Sequence, residues 1–478
     1  MDGRAGKWFE PKTLVLRAQG YREISSTRYR AAVPKAYDIP EDVAGEVIRD
    51  LLRSAWVIEK SRQAVYEKWA RQAPDFSESA ARAAERAEIV VTTLEERGHG
   101  TDPGLVDAHA AWMFGLAGDG PDEVPLGTFF AARVGDWVDG HCADFLGDRA
   151  ARLKDIGDEE RATLEFPSEL PPPPPFDPVP VVPVETPGEV LFTFGILADL
   201  HFGSVMGAEM AAAAIEDLNA SGAELVVQLG DITDHGQKEE YDDAMAALAQ
   251  LQMPYATMMG NHDVYSIAEE RLSGRDYYGT SFGREPDGVI VEHKGYRMAL
   301  LDSVMHAASP YPAYSLTTGS FLEGSSGAIV RGALTPAQHE ILAEVAAPGT
   351  PPAFLFLHHP PQPFTGFPPI LFGLRDEDSG RLHATVDSGN VWGVFAGHTH
   401  RNARTRDYGT VPAHEVAMPR DYPFGYALVD VTENGYAYRF VQLSNEELLR
   451  AAYPAASQIH RRYGLGTDAE RGFAWTRA

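Results

Sequence analysis

The chain is 478 residues long, enough for two or three domains at roughly 100–200 residues each. With 44% hydrophobic and 23% charged residues it has the balance of an ordinary folded protein, which excludes a fibrous or wholly disordered chain. A formal net charge of -28 opposes polyphosphate backbones, whose binding depends on Lys and Arg, so a nucleic-acid partner is disfavoured. A single cysteine, Cys142, leaves no intrachain disulfide to form and reads as a small buried residue. The N-terminus, MDGRAGKWFEPK, lacks the apolar core of a signal peptide, and no run of about 18 apolar residues occurs. The expectation is a cytoplasmic protein with no membrane association.

The predicted elements begin with helices. Pro40–Gln72 carries Val47, Leu51, Leu52 and Val57 at helical spacing, and Ser77–Arg97 is rich in Ala and Glu. Ala108–Gly115 and Phe129–Asp155 continue the pattern, giving an all-α module of four or five helices over residues 1–170. Five consecutive prolines open Pro171–Pro187, and residues 171–189 read as a semi-rigid linker or, alternatively, a docking site for a proline-recognising partner. Strand–helix alternation then starts. Leu191–Ala198, Glu224–Leu229, Tyr255–Met259, Arg297–Leu301, Ala353–Leu357 and Val391–Ala396 are short apolar strands. Ala208–Ala220, Glu239–Leu251 and Leu334–Val345 are helices, the last with Thr335 as cap, Pro336 in the first turn and Gln338 closing a capping box. This alternation predicts an α/β domain over 190–445. Phe424–Leu443 reads as antiparallel strands turning at Glu433–Asn434–Gly435, and the tail 446–478 begins helical and ends polar.

Five segments follow apolar strands at their carboxyl ends: Asp199-Leu-His201, Gly230-Asp231, Gly260-Asn-His-Asp263, His358-His359-Pro360 and Gly397-His-Thr-His400. Ligand sites in α/β sheets gather at that end, so segments distant in sequence can converge. Carboxylate and imidazole suit divalent first-row metals, and the absence of cysteine argues against a structural zinc–thiolate site. Asp231 offers two oxygens and can bridge two ions. Taken alone, Asp199-x-His201 reads as a strand-end cap and Gly230-Asp231 and Gly260-Asn261 as turns, while Gly397-His-Thr-His400 is moderately specific for metal; the ordered combination is a much stronger signal.

That combination, D-x-H, G-D, G-N-H-D, H-H-P and G-H-x-H, resembles the calcineurin-like metallophosphoesterase superfamily. Within it, GDITDHG and LFLHHPP look most like the class III cyclic-nucleotide and glycerophosphodiester phosphodiesterase branch. The resemblance runs from about Val190 to Leu443 and leaves out the helical module. It implies a four-layer α/β (α+β) β-sandwich flanked by helices, preceded here by the all-α module. It also implies two metal ions, Mn, Fe, Zn or Co, and a metal-bound hydroxide that attacks a small phosphate ester. Asp199, His201 and His400 would hold the first ion, Asn261, His358 and His398 the second, and Asp231 would bridge them. His262 would contact phosphate or protonate the leaving group, with Asp231 and His262 as the catalytic pair. His359 takes a supporting or packing role. Purple acid phosphatases carry tyrosine where Asp234 stands, so that branch is disfavoured.

The expected reaction is therefore phosphodiester hydrolysis, with phosphomonoester cleavage, in a protein or small-molecule phosphatase, as the rival. A non-catalytic scaffold with a partner-binding helical module is a third reading, disfavoured because no ligand is lost. Arg401 and Arg404 read either as phosphate contacts or as solvated surface charge. The loop 305–330 is expected near the site as a lid or a connection. The helical module would bind a protein partner or a second copy of the chain. Glu85, Glu88, Asp107, His109, Asp139, His141 and Asp144 suggest a ferritin-like metal site there, but the paired Glu-x-x-His pattern is missing.

Overall fold

The computed structural model describes residues 41–71, 73–74, 76–117, 174–264, 274–283, 288–304, 313–315, 320–322, 331–366, 369–457 and 459–477, and within 135–163 all but 137, 140, 141, 143 and 144. The expected start of a helix at 129 and the bulk of the loop 305–330 lie outside these residues, as do His141 and Asp144.

The strands, in chain order, are β1 (Val190–Leu197), β2 (Leu225–Gln228), β3 (Tyr255–Thr257), β4 (Val289–His293), β5 (Tyr296–Leu301), β6 (Ala313–Ser315), β7 (Ser320–Leu322), β8 (Ala353–Leu357), β9 (Val391–Ala396), β10 (Ala403–Tyr408), β11 (Val411–Glu415), β12 (Gly425–Thr432), β13 (Gly435–Gln442) and β14 (Gly472–Thr476). They form two six-stranded mixed sheets, ordered β14-β13-β12-β1-β2-β3 and β10-β11-β9-β8-β5-β4, and a small β6–β7 hairpin. Phe192, Phe194 and Ile196 of β1 alternate onto one face and meet Met298, Phe354, Phe356 and Phe395 of the other sheet. That shared core holds the sandwich together, as expected when two inner faces interdigitate. The outer face of the first sheet is covered by helices Gly207–Ala220 and Lys238–Leu248, through Met210, Ala214, Leu218, Tyr241 and Leu248. The outer face of the second is covered by Pro336–Ala346 and Asp376–Ser388, through Leu342, Val345, Leu382 and Val386. The result is the four-layer sandwich.

Several elements differ from expectation. Thr335 accepts from the Gln338 amide at 3.4 Å, but the Gln338 side chain is buried without a hydrogen-bond partner, so the reciprocal half of the capping box is absent. The expected helix Phe129–Asp155 is interrupted at 145–148, where Gly147 takes φ +57, and a separate helix runs Arg149–Thr163. The tail does not simply end polar: β14 pairs antiparallel with β13 and becomes the sheet edge.

The proline-rich stretch is not a free spacer. Over 174–187 it has no helix or strand, yet Val179 is buried in the domain core and its amide donates to the Gln442 side chain at 2.9 Å. Tyr453 Oη donates to Pro174 O at 2.6 Å, and Arg471 to Pro180 O at 3.1 Å. Extended residues that lack amide hydrogens can still offer carbonyls and apolar rings, which is what these contacts use.

The helical module packs Glu41–Ala70, Phe76–Glu96, Pro103–Ala117 and Arg149–Thr163 around Leu51, Leu52, Ile58, Val90 and Leu94. At its centre Arg86 and Arg62 share Glu59, and Arg62 also pairs with Glu160. Every charge in this buried set has a partner, as removal from water demands. The ferritin-like alternative fails on the described residues, because Asp139 is paired to Arg86 at 2.9 Å and Glu85 to Arg152 at 2.8 Å, so they do not converge. Cys142 is buried in this core, and burial pushes its thiol well above its usual range. Among the described residues no helix is long and apolar enough to cross a membrane.

The module is docked on the sandwich. Arg331 binds Asp50 of the first helix at 2.5 Å and Asp376 at 2.9 Å. Burial raises the Asp376 pKa, but the neighbouring Arg331 and Arg53 outweigh it and hold the carboxyl at about 2. A depressed carboxyl stabilises the fold above its unfolded pKa of about 3.9 and loses that contribution as pH falls through the folded value. Thermal melting should therefore show the gap between the parent and Asp376→Asn closing between about pH 4 and pH 2. A gap that is constant over that window would contradict the pairing.

Candidate metal centre

Three of the five expected segments leave their strands in strained backbone. Asp199, His201, Asp231, His398 and His400 all have positive φ, between 49 and 70°. Non-glycine residues rarely take this conformation, and such strain concentrates at functional sites. Two glycines allow the approach. A Cβ on Gly260 would overlap Asp231, and one on Gly397 would lie 2.7 Å from Asp199 Oδ2.

The structure brings all seven expected ligands together. Ligand-type atoms of Asp199, His201, Asp231 and His400 lie within 4.8 Å of one another, and so do those of Asp231, His358 and His398. Asp231 is common to both sets. Asn261 joins the second set, its Oδ1 3.0 Å from His358 Nε2. Asp199, Asp231 and His358 are fully or almost fully buried.

Hydrogen bonds fix the imidazoles. His358 Nδ1 donates to Leu229 O at 2.9 Å, which turns Nε2 toward Asn261 Oδ1 and Asp231 Oδ2, 3.0 and 3.4 Å away. His201 Nδ1 meets Asp234 Oδ1 at 2.9 Å, which places its Nε2 3.2 Å from His400 Nε2. Asp231 Oδ2 and His398 Nε2 are buried without hydrogen-bond partners, the kind of orphaned polar atom that calls for an explanation. A cation satisfies these atoms at once, and N/O donors of this kind fit a divalent first-row metal.

Burial works against protonating His358, but Asp231 and Asp199 outweigh it and push its pKa to about 9. Burial raises Asp231, and the surrounding histidines, His358 first, hold it well below the usual carboxylate range. Burial pushes Asp199 up to about 7. Burial and neighbouring imidazoles hold His398 and His400 well below the normal histidine value, so both present lone pairs.

His262 stands at the rim. Its amide donates to Asp231 Oδ1 at 2.7 Å, and its Nδ1 donates to Asp234 O at 2.9 Å, so in the neutral ring the lone pair is on Nε2. His359 does not join the ligand sets. Its Nδ1 meets Ser303 Oγ at 2.9 Å and its ring lies 4.5 Å from that of His398, in keeping with a supporting role.

Arg401 fits neither expectation. It is buried and binds both oxygens of Glu415 at 2.7 and 3.0 Å, so it is neither solvated charge nor a ready phosphate contact. Arg404, on β10, lies over the Phe473 ring.

Four contributors were missed. Asp234 orients His201; its only signal was a carboxylate three residues after Asp231 in the same loop. Asp263, whose segment was picked out but which received no role, accepts from the amides of Ile232, Thr233 and Gly260 and staples two site loops. Asp421 and His460, joined at 2.7 Å, sit beside His400 and belong to no local motif. Carboxylates that orient a ligating histidine typically contribute 10–100-fold to metal affinity, so Asp234→Ala should weaken Mn binding by about that factor. A Mn titration matching the parent would show that Asp234 does not orient the ligand.

A four-layer sandwich with carboxylates and imidazoles converging at its strand ends defines a metallophosphoesterase. Residues 192–402 match the family model described as calcineurin-like phosphoesterase. The chain is 24% identical over 263 residues, 53% of its length and 77% of the relative's, to a protein of Rhodococcus erythropolis named "probable cyclic nucleotide phosphodiesterase". It is 28% identical over 230 residues, 44% of this chain and 71% of the other, to a protein of Rhodopseudomonas palustris with the same kind of name. A glycerophosphodiester phosphodiesterase of Enterobacter lignolyticus is 27% identical over 221 residues, 42% of this chain and 71% of that one. The chain is accordingly a hydrolytic phosphoesterase whose motif style matches that phosphodiesterase branch.

Proposed function

We propose that the protein hydrolyses a small phosphodiester at a centre of two metal ions. The observation that carries this is Asp231, whose carboxylate belongs to both ligand sets and has one buried oxygen without a hydrogen bond. Asp199, His201, His400 and Asp231 would hold one ion; Asn261, His358, His398 and Asp231 the other. Two such ions supply Lewis acidity at a phosphoryl oxygen and lower the pKa of a water near neutral pH. Mn, Fe, Co and Zn all suit this donor set.

The chain's own residues do the rest. Asp234 fixes His201, and Leu229 O fixes His358, so neither ring needs to reorganise when substrate arrives. His262, held by Asp231 and Asp234, would in its imidazolium form donate the Nε2 proton to the departing oxygen, leaving the neutral ring with its remaining proton on Nδ1. The names of the relatives favour a diester over a monoester. A monoester adds a charge that calls for a further cation, and Arg401, the nearest sequence candidate, is already spent on Glu415.

The test compares bis(p-nitrophenyl) phosphate with p-nitrophenyl phosphate. A higher kcat/KM on the diester is expected. A preference for the monoester moves the assignment to a phosphatase.

A further inference from the structure

One route from the helical module to the candidate centre runs through a short segment. Ile370 and Leu371 are buried within the module's own core, among Leu51, Leu52 and Met113. The next residue, Phe372, sets its ring edge-on to His398, with centroids 4.9 Å apart and planes at 85°. Three consecutive residues therefore connect the module's core to a proposed metal ligand.

The segment is gripped on both sides. His109 of the helix Pro103–Ala117 is fully buried, stacks on Trp112 and donates from Nδ1 to Thr365 O at 3.1 Å. At the other end Arg53 binds Asp376 at 2.7 Å, and Arg331, itself bound to Asp50, donates to Leu374 O at 2.6 Å. Between these anchors Ile370 takes φ +73, a conformation β-branched residues avoid, and its amide donates to Phe364 O at 2.8 Å. Such a conformation persists only where the surroundings over-determine it. Phe364 in turn contacts Phe372 at 5.3 Å and lies under Arg401, three residues from His398.

We infer that the helical module is a positioning element for the metal centre, setting the plane of the His398 ring through Ile370, Leu371 and Phe372. An imidazole binds metal along one direction in its ring plane, so a ring free to rotate loses affinity. Through this segment the module would act on the second ion, held with Asn261 and His358, and changes at Leu371 or Phe372 would leave the first unchanged. This rests on the two-ion reading above.

The test is Mn binding by the full chain, with ion content and isotherms measured on the parent, Leu371→Ala, Phe372→Ala and Leu153→Ala. Leu153 is a buried core residue of the helix Arg149–Thr163 and controls for general destabilisation of the module. The parent should bind two ions. Leu371→Ala and Phe372→Ala should weaken one of them by about tenfold or more and leave the other unchanged. Leu153→Ala should lower the melting temperature without altering either affinity. Should Leu371→Ala fail to fold, Phe372→Leu, which keeps an apolar side chain but removes the aromatic edge, decides. Folded Phe372 variants that bind both ions as the parent does overturn the inference. A parent that binds fewer than two ions overturns the two-ion reading itself, and the inference with it.

Discussion

Replacing Asp231 with alanine is expected to lower kcat/KM on a phosphodiester by about 10³-fold or more, while the protein still folds. Loss of one preorganised electrostatic group commonly costs about 10²–10³, and Asp231 is shared by both ligand sets, so the upper end applies. The carboxylate also balances His358 and accepts the His262 amide, so its removal loosens both sides of the centre. Asp231→Asn keeps the shape and isolates the charge. Kinetics and Mn content should fall together in both variants, with circular dichroism unchanged. Activity within about tenfold of the parent, a barrier change of only about 1.4 kcal/mol, would contradict the bridging role.

The second large effect is expected at His262. A positioned general acid typically contributes about 10²–10⁴-fold. Its contribution depends on how much the departing oxygen needs a proton. His262→Ala should therefore cost more on a glycerophosphodiester, which expels an alkoxide, than on bis(p-nitrophenyl) phosphate, which expels a stabilised phenoxide. Metal content should not change, because His262 Nδ1 is engaged with Asp234 O and the ring is not in either ligand set. Equal losses on the two substrates would make His262 a phosphate contact rather than an acid.

The strands that carry the candidate site are legible in the sequence because chemistry and local pattern coincide there. Apolar runs such as Ala353–Leu357 and Val391–Ala396 read as buried strands, and the candidate ligands directly after them emerge at one sheet end. Legibility ends where tertiary contacts decide. Arg401 looks like a surface cation until β11 brings Glu415 beside it. Gly472–Thr476 is too short and mixed to announce a strand, and becomes one because β13 offers an edge. Asp376–Ser388 carries three acids in its first turn and few apolar residues, yet Leu382 and Val386 suffice to seat it on the second sheet. Asp421 and His460 are 39 residues apart, and no spacing rule pairs them. The proline-rich stretch shows the same limit, since its composition predicts extension but not the surface that it lies on.

The most direct measurement is a metal reconstitution. The protein is stripped with a chelator, Mn is added back stepwise, and ions per chain and diester hydrolysis are followed together. The account predicts no activity in the stripped protein and a maximum reached as ion content approaches two, with Asp231→Ala inactive throughout. Full diesterase activity in protein shown to hold no metal would contradict it.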